Sequence, residues 1–356
     1  MKKIGIITFH RANNYGAVLQ CYALQEILII LGYDVKVVDY RQPYIELLYN
    51  PIRYDIICRH ILNIRVVARY VIKDFWRLLI KRIKYDIYRN KYLKTTGVIN
   101  RKEQIPQDID VYVIGSDQLW NPEVLGDKFE DVYMGAFPHS PQSVIVGYAI
   151  SSNVIALQNI RNDVILKAAA NFDILSFREN KLGDYIADIT GRDVRIDIDP
   201  TLLLDRSKWE LCVKKRPINR KYLFTYFLHG NVKKSELRKI INTFSQKMGY
   251  KVVDVLDVAF SPIEFLTLVY YADYVVTSSF HAVVFSLIFN KEFFAINSHN
   301  GREERYRNLM EKVGVFDRCI DAENINNIVL SKIDYSVVNE KLLSLRNDSI
   351  QFLSSL

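Results

Sequence analysis

An imidazole that opens an apolar helix directly after hydroxyl residues is placed to give or take a proton near neutral pH. Thr277-Ser278-Ser279-Phe280-His281-Ala282 has that order, at the end of an apolar run. A lone histidine on an apolar helix face is as readily a core residue with satisfied nitrogens, so both readings stand at this point. The second candidate is Arg178 in Ser176-Phe177-Arg178-Glu179-Asn180, a cation directly after a strand-like run, facing either a ligand anion or Glu179. The third, Gly115-Ser116-Asp117-Gln118-Leu119-Trp120-Asn121-Pro122, gathers a carboxylate, two carboxamides and an indole. Asp117, Gln118 and Trp120 suit a sugar, with acceptors for hydroxyls and a ring to stack on, while Ser116 and Asp117 equally suit a helix N-cap. The fourth is His10-Arg11-Ala12-Asn13-Asn14-Tyr15-Gly16. There Gly16 permits close backbone approach and a helix start offers free N–H groups, unless Asn14 simply caps that helix. The fifth is the mixed-charge run 302–307, mostly a solvated face, from which Arg302 or Arg305 can reach a cleft.

These loops share one setting: each follows a strand-like run. Open parallel sheets bind ligands beyond the carboxyl ends of their strands. The spacing predicts strands over 4–9, 35–40, 111–114, 144–149 and 172–177, then a turn at Asp199-Pro200. The rhythm restarts with strands over 222–228, 251–256, 274–277 and 293–296. Between them, Val18, Leu19, Tyr22, Ala23, Ile27 and Ile30 recur at helical spacing up to Gly32. Further helices are expected over about 154–170, 234–247, 262–271 and 281–289, and from 325 onward. The fold class is therefore α/β, two Rossmann-like halves with parallel sheets. The expected divisions are 1–205, 206–330 and a C-terminal helix in 331–356, with a hinge near 200–219.

The 356 residues contain 49% hydrophobic and 25% charged residues, with only 14 Gly and 9 Pro. That balance excludes disordered, collagen-like and low-complexity chains. The net charge of +8 is concentrated: residues 50–94 hold 12 Lys/Arg against 3 Asp/Glu, a local +9 that leaves −1 for the rest. Phosphate contacts of a general nucleic-acid binder would spread over a face of the fold, so no nucleic-acid partner is expected. In this segment Ile56, Ile57, Ile61, Leu62, Val66, Val67, Tyr70 and Val71, then Phe75, Trp76, Leu79 and Ile83, alternate with arginines as in one or two amphipathic helices. Four cysteines lie too far apart for a zinc or redox motif, and no metal site is expected. Neither half carries GxGxxG, which argues against a dinucleotide cofactor. No stretch approaches ~20 uncharged apolar residues, so no bilayer span is expected.

Assembled in order, the motifs resemble the polysaccharide pyruvyl transferase family. They are NNYGAVLQCYALQEIL (13–28), GSDQLWNP (115–122), SFRENKLGDYI (176–186), DPTLLL (199–204) and ADYVVTSSFHAVVFSLIFNKEFFAI (272–296). The resemblance implies a GT-B-like pair of halves facing a cleft. It further implies transfer of a pyruvyl group from phosphoenolpyruvate to a sugar hydroxyl pair of a cell-surface polysaccharide or its lipid-linked precursor. Arg178 is similar to the family's donor-binding arginine and His281 to the histidine beside the donor, a candidate acid. Better-studied members carry arginine where this chain has Ser279, and often glycine at Ala282. Ser278, Ser279, Arg302 and Arg305 are then the remaining donor-side candidates, Asp117 the candidate base, and Asn14, Tyr15, Gly16, Gln118 and Trp120 the acceptor side.

On this reading no cofactor is needed beyond phosphoenolpyruvate as substrate. The expected place is the cytoplasm, with the basic segment 50–94 meeting the inner face of the membrane or packing on the first half. A sugar-nucleotide glycosyltransferase and a non-catalytic glycan-binding protein of the same fold remain the alternatives.

Overall fold

The computed structural model describes residues 1–52, 68, 70–126, 129–228, 234–297, 299, 301, 303–327 and 331–356. Its start is β1 (Lys3–Ile7), α1 (Tyr15–Ile30) and β2 (Asp34–Tyr40). Ile4, Ile6 and Ile7 are all buried, as befits a central parallel strand covered on both faces. The chain turns after α1 through Gly32 at φ +92°, a left-handed conformation that glycine adopts at no steric cost. Then come α2 (Pro43–Leu48), a π-helical turn (Tyr70–Phe75), α3 (Trp76–Tyr92), β3 (Thr95–Ile99), β4 (Val111–Asp117) and β5 (Val144–Ile150). Helices α4 (Val154–Gln158) and α5 (Asn162–Ala169), β6 (Ile174–Phe177), α6 (Asn180–Thr190) and β7 (Arg195–Ile196) complete this half. Its seven strands are parallel, in the order β3-β2-β1-β4-β5-β6-β7.

After α7 (Arg206–Glu210) the second half runs β8 (Tyr222–Tyr226), α8 (Lys234–Met248), β9 (Lys251–Asp254), α9 (Pro262–Tyr271) and β10 (Tyr274–Thr277). It continues through α10 (Phe280–Ile288), β11 (Phe293–Ile296), α11 (Glu304–Val313) and β12 (Cys319–Ile320). The order is β12-β11-β10-β8-β9, again parallel. Local sequence explains where helices begin. Before α9, Ser261 Oγ accepts from the Glu264 N–H at 3.1 Å, Glu264 returns the bond to the Ser261 N–H at 2.7 Å, and Pro262 takes the first turn.

The halves are sewn together by packing and by a returning helix. The Tyr15 ring stacks on Phe265 of α9 at 4.5 Å and meets Tyr226 edge-on at 5.7 Å. Helix α12 (Tyr335–Ser354) follows the second sheet yet binds the first half. Ser349 Oγ donates to Asp197 at 2.9 Å and accepts from the Ile198 N–H at 3.2 Å, and Tyr33 donates to the Leu353 carbonyl at 3.1 Å.

Several expectations need correction. The helix expected over 154–170 is two helices, parted at Asn159–Arg161 between α4 and α5. The edge strand β3 was not expected: its outward residues leave no apolar alternation to read. The two-residue strand β12 is likewise too short for a pattern. The last helix starts at Tyr335, where Asp334 accepts from the Ser336 N–H at 3.0 Å, and residues Ala322–Asn326 form a 3-10 turn instead. In the basic segment Ile56, Ile57, Ile61, Leu62, Val66 and Val67 lie outside the described residues. Helix α3 forms as expected, but with its apolar stripe outward: it buries Tyr85, Tyr88 and Arg89, while Trp76 and Ile83 are exposed.

Candidate functional site

The carboxyl ends of β1, β4 and β6 open toward the end of β10, and the singled-out residues meet there. Arg178 leaves β6 and is 5% exposed. Its Nη1 donates to Asp199 Oδ2 at 2.6 Å and its Nε to Glu179 Oε1 at 3.1 Å. The guanidinium also lies 4.2 Å over the Phe280 ring, so the arginine of the first half rests on the first residue of α10. One residue further, the His281 Nε2 stands 3.6 Å from the same Asp199 Oδ2, too long for a hydrogen bond. One buried carboxylate oxygen is thus flanked by a guanidinium and an imidazole from opposite halves.

The cluster leaves polar atoms unfilled. Arg178 Nη2, His281 Nε2 and Glu179 Oε2 are all buried without a hydrogen-bond partner. Ser279 occupies the N-cap of α10, but its hydroxyl makes no capping bond, so the positive end of that helix also faces the cluster uncapped. Asp199, by contrast, is saturated: Oδ1 accepts from the Thr201 N–H at 3.0 Å and from its hydroxyl at 2.6 Å. Burial would raise its carboxyl, but the neighbouring His281, then Arg178 and Thr201, hold it well below the usual carboxylate range. Burial likewise opposes the charge on Arg178, and Glu179, Asp199 and Asp117 outweigh it. Beside Arg178 is a cavity of about 20 Å³, lined also by Phe280, Arg305, Asn308 and Lys312. That is room for about one water.

Gly16 fixes the other face of the imidazole. A methyl built there would sit 1.9 Å from His281 Nδ1. No side chain fits without moving the ring. Asn14 caps α1, its Oδ1 accepting from Gly16 N–H at 2.9 Å and Ala17 N–H at 3.4 Å. Asp117 closes β4 with φ +76°, a strained conformation partly relieved by its own bond from the Gln118 N–H at 2.9 Å. Its side chain is half-buried and its charge is felt at Arg178.

Other candidates are engaged elsewhere. Tyr15 and Trp120 are 2% and 0% exposed, Trp120 edge-on to Phe177 at 5.6 Å, and neither ring offers a face to a sugar. Gln118 is buried as well. The Ser278 hydroxyl exchanges bonds with the Leu228 backbone at 3.0 and 3.1 Å. Arg305 lines the Arg178 cavity, and Arg302 lies outside the described residues.

Two groups went unseen in the sequence. Asp199 was legible only as the start of an Asp-Pro turn and of DPTLLL, neither of which tells that its carboxylate is buried or what it faces. Lys81, from α3, holds its ammonium 5.1 Å from the Tyr15 ring centre and 5.5 Å from that of Tyr85. Among the described residues no carboxylate pairs with it. Burial, with Arg77 adding to it, pushes Lys81 down to about 8. Arg89 fastens the same helix to the cleft loop, donating to the Asn13 side chain at 3.1 Å and the His10 carbonyl at 3.4 Å.

A family model described as polysaccharide pyruvyl transferase matches residues 14–300. No curated protein matches the chain. Among solved structures, the UDP-N-acetylglucosamine 2-epimerase of Rickettsia bellii is similar at 11% identity and TM-score 0.47, covering 99% of this chain and 98% of that one. The UDP-GlcNAc 2-epimerase of Neisseria meningitidis bound to UDP-GlcNAc gives 8% and 0.46, covering 100% and 94%. Arabidopsis thaliana UGT89C1 complexed with UDP gives 8% and 0.48, covering 99% and 100%.

Proposed function

Because the chain belongs to the polysaccharide pyruvyl transferase family, we propose that it moves a pyruvyl group from phosphoenolpyruvate to two hydroxyls of a glycan, forming a ketal. The observation that supports this most is the pair of unpartnered nitrogens, Arg178 Nη2 and His281 Nε2, on either side of Asp199. A small, multiply charged donor needs guanidinium and helix N-terminal N–H groups for its anions. It also needs an acid, because its C2 becomes electrophilic only when the methylene carbon is protonated.

His281 gives that proton, and the first sugar hydroxyl bonds to C2. The bond from C2 to the phosphate oxygen then breaks, with Arg178 neutralising the departing phosphate, and the second hydroxyl closes the ketal. Of the two protons the hydroxyls release, one returns to His281 and the other leaves with phosphate. Asp117, at the mouth of the cluster, is the proposed first acceptor for them. Asp199 stays ionised and faces His281 as a fixed negative charge. Lys81 supplies a cation on the Tyr15 side of the cleft, where Arg178 does not reach.

The test is incubation with phosphoenolpyruvate and candidate acceptors, followed by mass spectrometry and phosphate release. The expected product exceeds its acceptor by one pyruvic acid less one water. Stabilisation by nucleotide sugars with none by phosphoenolpyruvate would overturn the reading. A second expected result concerns Gly16→Ala. Its methyl must displace the imidazole by an ångström or more. We expect about a 10²-fold fall in kcat from the misplaced ring while the protein remains folded by circular dichroism. Unchanged kcat would mean that the position of this ring does not matter to turnover.

A further inference from the structure

Helix α3 turns two different faces in opposite directions. Lys81, Tyr85, Tyr88 and Arg89 point toward the cleft side, where Tyr85, Tyr88 and Arg89 are buried. Trp76, Ile80, Ile83 and Ile87, with Ile72 of the preceding π-helical turn, point outward and are 57%, 47%, 49%, 61% and 76% exposed. Their spacing of four, four, three and four residues aligns them in one stripe. Leu47 and Leu48 of α2 are also exposed, and α2 lies alongside because Glu46 accepts from Arg82. Scattered exposed apolar residues are ordinary on a monomer; an aligned row of this size marks a surface that meets something.

The charge around the row indicates what it meets. Arg77, Lys84 and Lys91 follow one edge of it at seven-residue intervals. Arg77 and Lys84 also bind the Leu256 carbonyl and Glu264, and Lys91 is exposed. Arg77, Lys84 and Lys91 all lie along this one edge, so a second copy of this face would bring like charge against like. An outward row of isoleucines with an indole, bordered by cations, is instead complementary to lipid headgroups of negative charge. No described helix is long and apolar enough to cross a membrane, so the contact would be in-plane.

We propose that the outward face of α3 docks this protein on an anionic lipid surface, with Trp76, Ile80, Ile83 and Ile87 as its apolar anchors. The cleft then lies about one helix diameter, some ~10 Å, from the headgroups. Delivery of a lipid-linked glycan to His281 rests on the proposed reaction; the docking does not.

The three tryptophans make a test direct, because Trp120 and Trp209 are fully buried and only Trp76 is open to its surroundings. The full chain is mixed with phosphatidylcholine vesicles with or without phosphatidylglycerol. We expect a blue shift of tryptophan emission and flotation with the anionic vesicles alone, weakened by salt. The double variant Ile83→Glu, Ile87→Glu is expected to lose at least tenfold in partition yet keep the wild-type rate on a soluble acceptor. Wild-type protein that neither shifts nor floats would overturn the proposal, as would equal flotation of the double variant. A change of oligomeric state in that variant with flotation unaltered would assign the row to a second copy and overturn it too. Lost flotation with phosphate release intact would sink the docking alone; the reverse would sink the reaction alone.

Discussion

If the proposed reaction holds, His281→Ala is expected to lower ketal formation by about 10³-fold, within the range that a positioned general acid contributes. The loss should fall on kcat, since the proposed reaction gives the donor anions to Arg178 and the start of α10 and not to the imidazole. The fold should survive, because Asp199 keeps its bonds from Arg178 and Thr201 when the ring is gone. The measurement is phosphate release at saturating donor, beside a melting curve. A variant that turns over near the wild-type rate would remove His281 from the chemistry and leave the cluster a structural ion pair.

The second large effect is expected at Asp199. Asp199→Asn keeps the shape but withdraws the charge that compensates the buried Arg178 side chain. Breaking a buried pair from one side costs about 3–5 kcal/mol, and Glu179, still bonded to Arg178 Nε, should hold the loss to the lower end. The sign with pH follows from the depressed carboxyl. Its stabilising contribution is complete above the unfolded value of about 4 and is lost only as pH falls through the lower folded value. The gap between wild type and variant should therefore be flat around neutrality and close in strong acid. Denaturant titrations at several pH values measure it. Equal stability at pH 7 would show that Asp199 is not what holds Arg178.

The contrast between these residues shows what the sequence could and could not tell. Arg178 and His281 stood out because each follows an apolar run, and a parallel sheet delivers such positions to one edge. Gly16 stood out as a backbone that can be approached closely, though not by which group. Asp199 had no such mark: its partner Arg178 is 21 residues away in sequence, and His281 comes from the other half. Its role exists only in the packed protein. Tyr15 and Trp120 misled for the opposite reason. A ring beside carboxamides suits a sugar in composition, but Tyr15 is taken up by Phe265 and Trp120 by Phe177. For α3, amphipathic spacing gave the helix but not its orientation. Its polar aromatic side, Tyr85 and Tyr88 with Arg89, won the interior because it completes the loop around Asn13.

The returning helix α12 also bears on biosynthesis. Asp197, the Ile198 amide and the Tyr33 hydroxyl belong to the half translated early, yet their partners are Ser349 and Leu353. As the ribosome works through the intervening segment, that half must wait with polar groups unmet and the Tyr148 ring lacking Phe352 above it. A nonsense mutation just before Tyr335 would spare every candidate cleft residue and still deliver a chain exposed to chaperones and proteases.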